Sequence, residues 1–246
     1  MVARWAHNPK VAGSSPAPAT SQGCSGILFL DMDIIYEDNH ILVVNKAPGE
    51  IVQGDKTGDT PIVEKLKQYL KEKYNKPGNV FCGVVHRIDR PVGGLVIFAK
   101  TSKALTRLND MLRKGEIHKT YRALVTGFPE HESATLENYI ISDGTRNKSY
   151  ITDSSKPGAK MSRLDYKVIE RGERYSLLEI ELHTGRKHQI RVQLSATGHP
   201  IKGDLKYGAR RSNPDGSISL QAWRLEFTHP VSRQRMVFEV ASPLSL

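Results

Sequence analysis

From Met32 onward the chain alternates short apolar runs with polar turns. Ile34, Ile35 and Tyr36 are followed by polar Glu37-Asp38-Asn39 and then by Ile41-Leu42-Val43-Val44. An apolar run of this length, ended by Asn45-Lys46-Ala47-Pro48-Gly49, predicts a strand and a turn. Thr60 is placed to cap a helix with Pro61 in its first turn. Ile62, Val63, Leu66, Tyr69, Leu70 and Tyr74 then recur at helical spacing until Lys76-Pro77-Gly78-Asn79. Leu95 to Phe98 predicts a buried strand. A second helix is expected from Thr101 or Ser102, with Leu105, Leu108, Met111 and Leu112 on one side and Gly115 as its stop.

Thr120 to Thr126 predicts a strand with Tyr121, Ala123 and Val125 on one face. Residues 142–160 form a polar stretch holding Arg146, Lys148, Lys156 and Lys160, and a long loop is expected there. Strands near Arg163–Ile169 and Tyr175–Leu182, joined by Glu170-Arg171-Gly172-Glu173-Arg174, predict a hairpin. A short helix is expected over Lys187–Ala196, stopped by Gly198. Final strands are expected at Leu220–Phe227 and Met236–Val240. Strands outnumber helices and hairpins recur. The expected fold is therefore α+β, with a mixed, largely antiparallel central sheet and flanking helices.

Residues 1–31 follow no such pattern. They are rich in Ser, Ala, Pro and Gly, and Asp31 is their one acid. Val11 to Thr20 resembles a translated tRNA gene, whose T-arm reads in one frame as Gly-Ser-Ser-Pro. The expectation is a domain over 32–246 that starts at Met32, with 1–31 an extension outside it. A transit peptide, also poor in acid, is the other reading.

Composition narrows the function. The net charge is +10. Removing residues 1–31 takes away Arg4, Lys10 and Asp31, so the domain keeps +9. A basic balance favours a polyanionic partner, nucleic acid first. No apolar run approaches the roughly 20 residues that span a membrane. Cys24 and Cys82 lie far apart, which argues against a disulfide framework or a cysteine zinc site and suits a reducing cytoplasm. The histidines show no metal-binding spacing, and no metal or cofactor is expected.

Two constellations could carry chemistry. In His86-Arg87-Ile88-Asp89-Arg90-Pro91-Val92-Gly93-Gly94-Leu95 a carboxylate stands between two arginines before a Gly-Gly turn. Nearby guanidinium groups favour an ionised carboxylate, although an ordinary surface ion pair has the same spelling. A kinase catalytic loop is set aside because Ile88 interrupts His-Arg-Asp and no phosphate loop is present. The second constellation runs His183-Thr-Gly-Arg-Lys-His-Gln-Ile-Arg-Val-Gln193 and on to Gly198–Gly208. On a helix Ile190 and Leu194 would face the core, with Arg191 turned about 100° away toward a cleft. A solvated basic face is the plain alternative.

Together these segments resemble the RluA-type family of RNA pseudouridine synthases. His86 to Leu95 matches that family's His-Arg-Leu-Asp signature, and Lys119-Thr-Tyr121 its Lys-x-Tyr strand. Gly185 to Arg191 and Pro200 to Gly208 match its later motifs. The likeness covers about residues 33–243. Pro91-Val92 and Gln193 depart from the usual residues, and residues 1–31 are too few for the small RNA-binding domain many relatives carry.

The resemblance implies an isomerase that needs no cofactor. Asp89 would be its catalytic carboxylate, Arg191 the partner of that acid, and Tyr121 the ring stacked on the target uracil. It implies rRNA or tRNA as partner, with RNA contacts from Arg87, Arg90, Arg146, Lys148, Arg186 and Lys187. No obligate protein partner is implied, and a cytoplasmic monomer is expected. The target base must be flipped out or presented from a loop. The competing reading is an RNA-binding chaperone on the same fold. A methyltransferase would need a glycine-rich cofactor loop, and none is found.

Overall fold

The computed structural model describes residues 32–246 apart from residue 56. The expectations for residues 1–31, including the start at Met32, lie outside the described residues.

β1 (Asp33–Glu37) and β2 (Ile41–Lys46) form an antiparallel hairpin. Its turn is fixed by Asp38, whose Oδ1 accepts from the amides of His40 and Ile41 at 2.7 Å each. β3 (Gly83–Val84) and β2 both pair with β4 (Gly93–Ala99). The unbroken apolar runs of β2 and β4 arise because both faces are covered. Leu42, Val44, Val96 and Phe98 enter one core, and Ile41, Val43, Leu95 and Ile97 enter another. α1 (Ile62–Lys73) packs Leu66 and Leu70 into the first core, and α2 (Ser102–Lys114) packs Leu108 and Met111 into the second.

The helix ends follow from local chemistry. The Thr101 hydroxyl accepts from the Ala104 amide, and Gly115 ends α2 in the left-handed region at φ 75°. α1 starts one residue later than predicted. Pro61, not Thr60, is the cap, and its carbonyl accepts from the amides of Glu64 and Lys65.

β5 (His118–Thr126), β6 (Ser133–Asp143), β7 (Lys148–Thr152), β8 (Lys160–Arg171) and β9 (Tyr175–Leu182) extend the sheet. The order among the described residues is β1-β2-β4-β10-β5-β9-β8-β6-β7, where β10 is Leu220–Thr228 and pairs on with β11 (Arg235–Glu239). β10 runs parallel to β4 and antiparallel to β5, so the sheet is mixed and mostly antiparallel.

Residues 142–160 are not one long loop. β6 turns into β7 across Gly144–Asn147, where Asp143 Oδ1 accepts from the amides of Thr145 and Arg146 and Asn147 takes φ 48°. Asp and Asn at those points are turn chemistry that lets a polar strand pair form. The irregular part shrinks to 153–159. The last helix, α3 (Gln189–Ala196), starts two residues late because His188 sits at φ 55°, outside helical geometry.

Candidate active site

The acidic loop lies between β3 and β4. Its turn closes through the Val92 amide on the Asp89 carbonyl at 3.0 Å. Gly94, at φ 118°, is required by a close backbone approach: a Cβ there would sit 2.2 Å from the Ala222 carbonyl oxygen on β10. The Gly-Gly turn thus admits a neighbouring strand.

Beneath the loop lies a residue that sequence reasoning passed over. Lys46 is fully buried at the end of β2, and its ammonium donates to the carbonyls of Ala47, Glu50 and Arg90 at 2.8, 2.9 and 3.1 Å. Burial pulls its pKa down to about 8, against the opposing charges of Glu50 and Asp89. A lone cation closing an apolar strand was the available signal, since such a charge must find partners when buried.

α3 brings the second constellation to the first. Ile190 and Leu194 enter the core, as their spacing predicts. Arg191 is not on a solvated face: its side chain is 6% exposed. Nη1 donates to Asp89 Oδ2 at 2.9 Å, while Nε and Nη2 donate to the two oxygens of Asp204 at 2.7 and 2.8 Å. Burial opposes the charge on Arg191, but Asp204 and then Asp89 outweigh it and hold its pKa up. Asp204, 1% exposed, carries no sign of its role in the sequence beyond its place in the Pro200–Gly208 motif.

Asp89 keeps 27% of its side chain exposed, and its Oδ1 accepts no hydrogen bond among the described residues. Tyr121 is buried on β5, and burial and the Asp89 charge both push its phenol pKa upward.

A second chain of contacts reaches Asp89. The Ser149 amide donates to Tyr207 Oη at 2.8 Å, and Tyr207 Oη lies 2.9 Å from His188 Nδ1. With Tyr207 as the donor to Nδ1, the neutral imidazole carries its proton on Nε2, 3.7 Å from Asp89 Oδ2. Burial pushes the His188 pKa down to about 4, so the ring is neutral near pH 7. The Arg191 guanidinium lies 5.0 Å over the Tyr207 ring.

A cleft of about 570 Å³ opens over this group, with Arg87, Asp89, Lys119, Tyr121, Arg186 and Lys187 in its wall. Arg90 turns elsewhere, donating to the Gly49 carbonyl at 3.0 Å and pairing with Asp59. It braces the loop. Arg87 reaches Gln53 at 3.4 Å, and Arg186 Nε donates to the Met161 carbonyl. Arg146 stands exposed in the β6–β7 turn, with Lys148 over the Tyr150 and Tyr207 rings. Gln193, a departure from the family pattern, is buried and ties α3 to β6 through Leu136 and Asn138.

Among the described residues, Asp165, Glu181 and His183 form the group with metal-ligating atoms within 4.8 Å of one another. Two of the three are exposed, and His183 is already 2.6 Å from Asp165. The group includes none of Asp89, Arg191 and Asp204. A second depression of similar volume, about 570 Å³, includes Asp165 and Glu181 but not Asp89.

One carboxylate held by a buried guanidinium beside a buried tyrosine, in a cleft with basic walls, is a site suited to chemistry on a polyanion. A family model for RNA pseudouridylate synthases matches residues 40–196. An uncharacterised RNA pseudouridine synthase of Bacillus subtilis is 34% identical over 217 residues, covering 87% of this chain and 70% of that protein. The ribosomal large subunit pseudouridine synthase D of Yersinia pestis is 32% identical, covering 87% of this chain and 68% of that one. Synthase C of Vibrio cholerae is 30% identical, covering 96% and 72%. The human RNA pseudouridylate synthase domain containing 1 superposes with a TM-score of 0.68 at 25% identity, covering 90% of this chain and 87% of that one. The chain belongs to the RNA pseudouridine synthases, which are isomerases. Its α+β mixed sheet is the fold of that group. No helix among the described residues is long and apolar enough to cross a membrane.

Proposed function

We propose that this chain isomerises uridine to pseudouridine in large-subunit ribosomal RNA, with Asp89 as the catalytic carboxylate. The observation that carries this is the Asp89–Arg191–Asp204 array, which orients one carboxylate oxygen and leaves the other without a hydrogen-bond partner among the described residues. Pseudouridylation breaks the N–C bond to the sugar, turns the base and rejoins it through carbon. An oriented carboxylate beside the sugar can add to the anomeric carbon or take a neighbouring proton. Ordinary glycoside hydrolysis uses two cooperating carboxylates. Here the nearest other acid around Arg191, Asp204, is buried behind it. Tyr121, kept protonated by its raised pKa, acts as a stacking wall for uracil and not as a strong base.

The ribosomal substrate is supported by the names of the Yersinia and Vibrio relatives, ribosomal large subunit pseudouridine synthases D and C. Arg87, Arg186 and Lys187 at the cleft, and Arg146 and Lys148 beyond it, would meet phosphates.

The test is tritium release from C5-labelled uridine in ribosomal RNA, with binding measured in parallel. Asp89→Asn should abolish release while affinity stays within a few-fold. Near-normal release by that variant would remove Asp89 from the chemistry. Pseudouridine mapping in a strain lacking the gene should show a lost site in large-subunit RNA, and a site lost from tRNA instead would refute the substrate.

A further inference from the structure

Lys119 stands apart from the other cations of the cleft. It lies on β5 two residues before Tyr121, so both side chains leave the same face of the strand, about 7 Å apart along it. It is half-buried, and burial alone pulls its pKa below the ordinary lysine value. Among the described residues it has neither an ion pair nor a hydrogen bond. A desolvated ammonium without a partner costs stability, and the fold does nothing to relieve that cost.

Its surroundings keep it open toward the cleft. A Cβ at Gly185 would lie 3.7 Å from the Lys119 ammonium. Gly185 is not among the residues with positive φ, so its backbone does not demand glycine. What a side chain there would do is cover the lysine. His86 lies close enough for its own pKa to be pushed down, to about 3, by burial and then by the Lys119 charge. The Ile97 amide donates to His86 Nε2 at 3.2 Å, so Nδ1 carries the ring proton, and it is buried without a partner. His86 therefore offers the Lys119 ammonium no accepting nitrogen.

We propose that Lys119, reached across Gly185, is a binding site for one backbone phosphodiester of the RNA, that of the nucleotide whose base packs on Tyr121. This rests on uridine occupying the cleft as proposed above. The anion supplies the partner that the protein withholds, so the cost of the unpaired lysine in the free protein is recovered only on RNA binding.

The test compares Lys119→Met, Lys119→Arg and a control, Lys103→Met, whose lysine is exposed on α2. The probe is protein-free bacterial large-subunit ribosomal RNA, bound over a range of salt concentrations. Lys119→Met should reduce the slope of log affinity against log salt by about 0.7 to 0.9 and weaken binding about tenfold at physiological salt. Lys119→Arg should keep the slope, and Lys103→Met should barely change it. In the absence of RNA, Lys119→Met should melt no lower than the parent protein, because it discards an unpaired, half-buried charge. An unchanged slope in folded Lys119→Met, or an equal fall in Lys103→Met, overturns the site. Binding slopes are read without turnover, so a wild-type protein that released no tritium would refute the isomerase reading and leave this result legible.

Discussion

Asp204 grips Arg191 through two parallel hydrogen bonds, Nε to Oδ2 and Nη2 to Oδ1, and so turns the third nitrogen toward Asp89. Asp204 is a positioning residue: it acts on Asp89 only through the guanidinium. Asp204→Asn should lower kcat at least about tenfold with little change in KM, because misplacing a reacting group costs orientation, not binding. It should also cost about 3 kcal/mol of stability, since Arg191 loses a buried partner. Arg191→Lys should recover only part of the activity lost in Arg191→Ala, because a point charge cannot serve both carboxylates as a fork does. Steady-state kinetics with urea unfolding checks both, and a folded Asp204→Asn enzyme with normal kcat would refute the arrangement.

Much of this was legible in the sequence and some was not. Tyr121 and Arg191 lie on a strand and a helix whose periods were readable, Asp89 was marked by its motif in a loop, and the structure brings them together. Asp204, Lys46, His188 and Tyr207 were missed because their role lies in pairing across the fold, which period and composition do not encode. Arg90 beside Asp89 in sequence suggested the wrong neighbour. The loop turns it to Asp59, and an arginine 102 residues away takes the acid instead. The β6–β7 pair hid because its turn and flanks, residues 142–149, are polar, and strand period is read from apolar positions.

His188 should make stability depend on acid. Its folded pKa is near 4 against an ordinary 6.5, so between those values the unfolded chain takes up a proton that the folded ring refuses. Stability is therefore lost as pH falls from about 6.5 toward 4, by about 2 kcal/mol between pH 7 and pH 5. His188→Gln should show a correspondingly flatter change in urea midpoint over that range. A variant as acid-sensitive as the parent would exclude His188 as the source.

Glu37 should act further down the scale. Burial raises its pKa, but hydrogen bonds from Lys100, Lys73, Tyr74 and Tyr69 bring it down to about 2 from 4.5. This stabilising contribution is present above about pH 4.5 and fades as pH falls toward 2. Glu37→Gln should cost about 3 kcal/mol at pH 7 and little near pH 2. Equal losses at both pH values, measured by urea unfolding, would contradict this.

Gly94→Ala should cost about 3 kcal/mol or more, because the added methyl meets the Ala222 backbone and φ 118° strains any side chain. Gly144→Ala, with open space around its Cβ and no positive φ, should change stability by less than about 1 kcal/mol. Similar urea midpoints for the two variants would show that the strand contact is not rigid.

Arg146 and Lys148 should separate. Arg146→Ala should lower only the salt slope of RNA binding, by about 0.7 to 0.9. Lys148→Ala removes a cation from the Tyr207 ring as well, so it should also reduce kcat. Unchanged slopes in both proteins would place the RNA elsewhere.

The position of β10 has a consequence for how the protein is made. This strand enters the middle of the sheet, parallel to β4 on one side and antiparallel to β5 on the other, yet it is among the last to leave the ribosome. The strand that follows the Asp89 loop and the strand that bears Tyr121 cannot be joined in one sheet until residues near 220–228 arrive to fill the place between them. During synthesis both carry unpaired edges, which invite wrong partners. A chain stopped before Leu220 would hold all three site residues and still leave the seam between their strands unclosed.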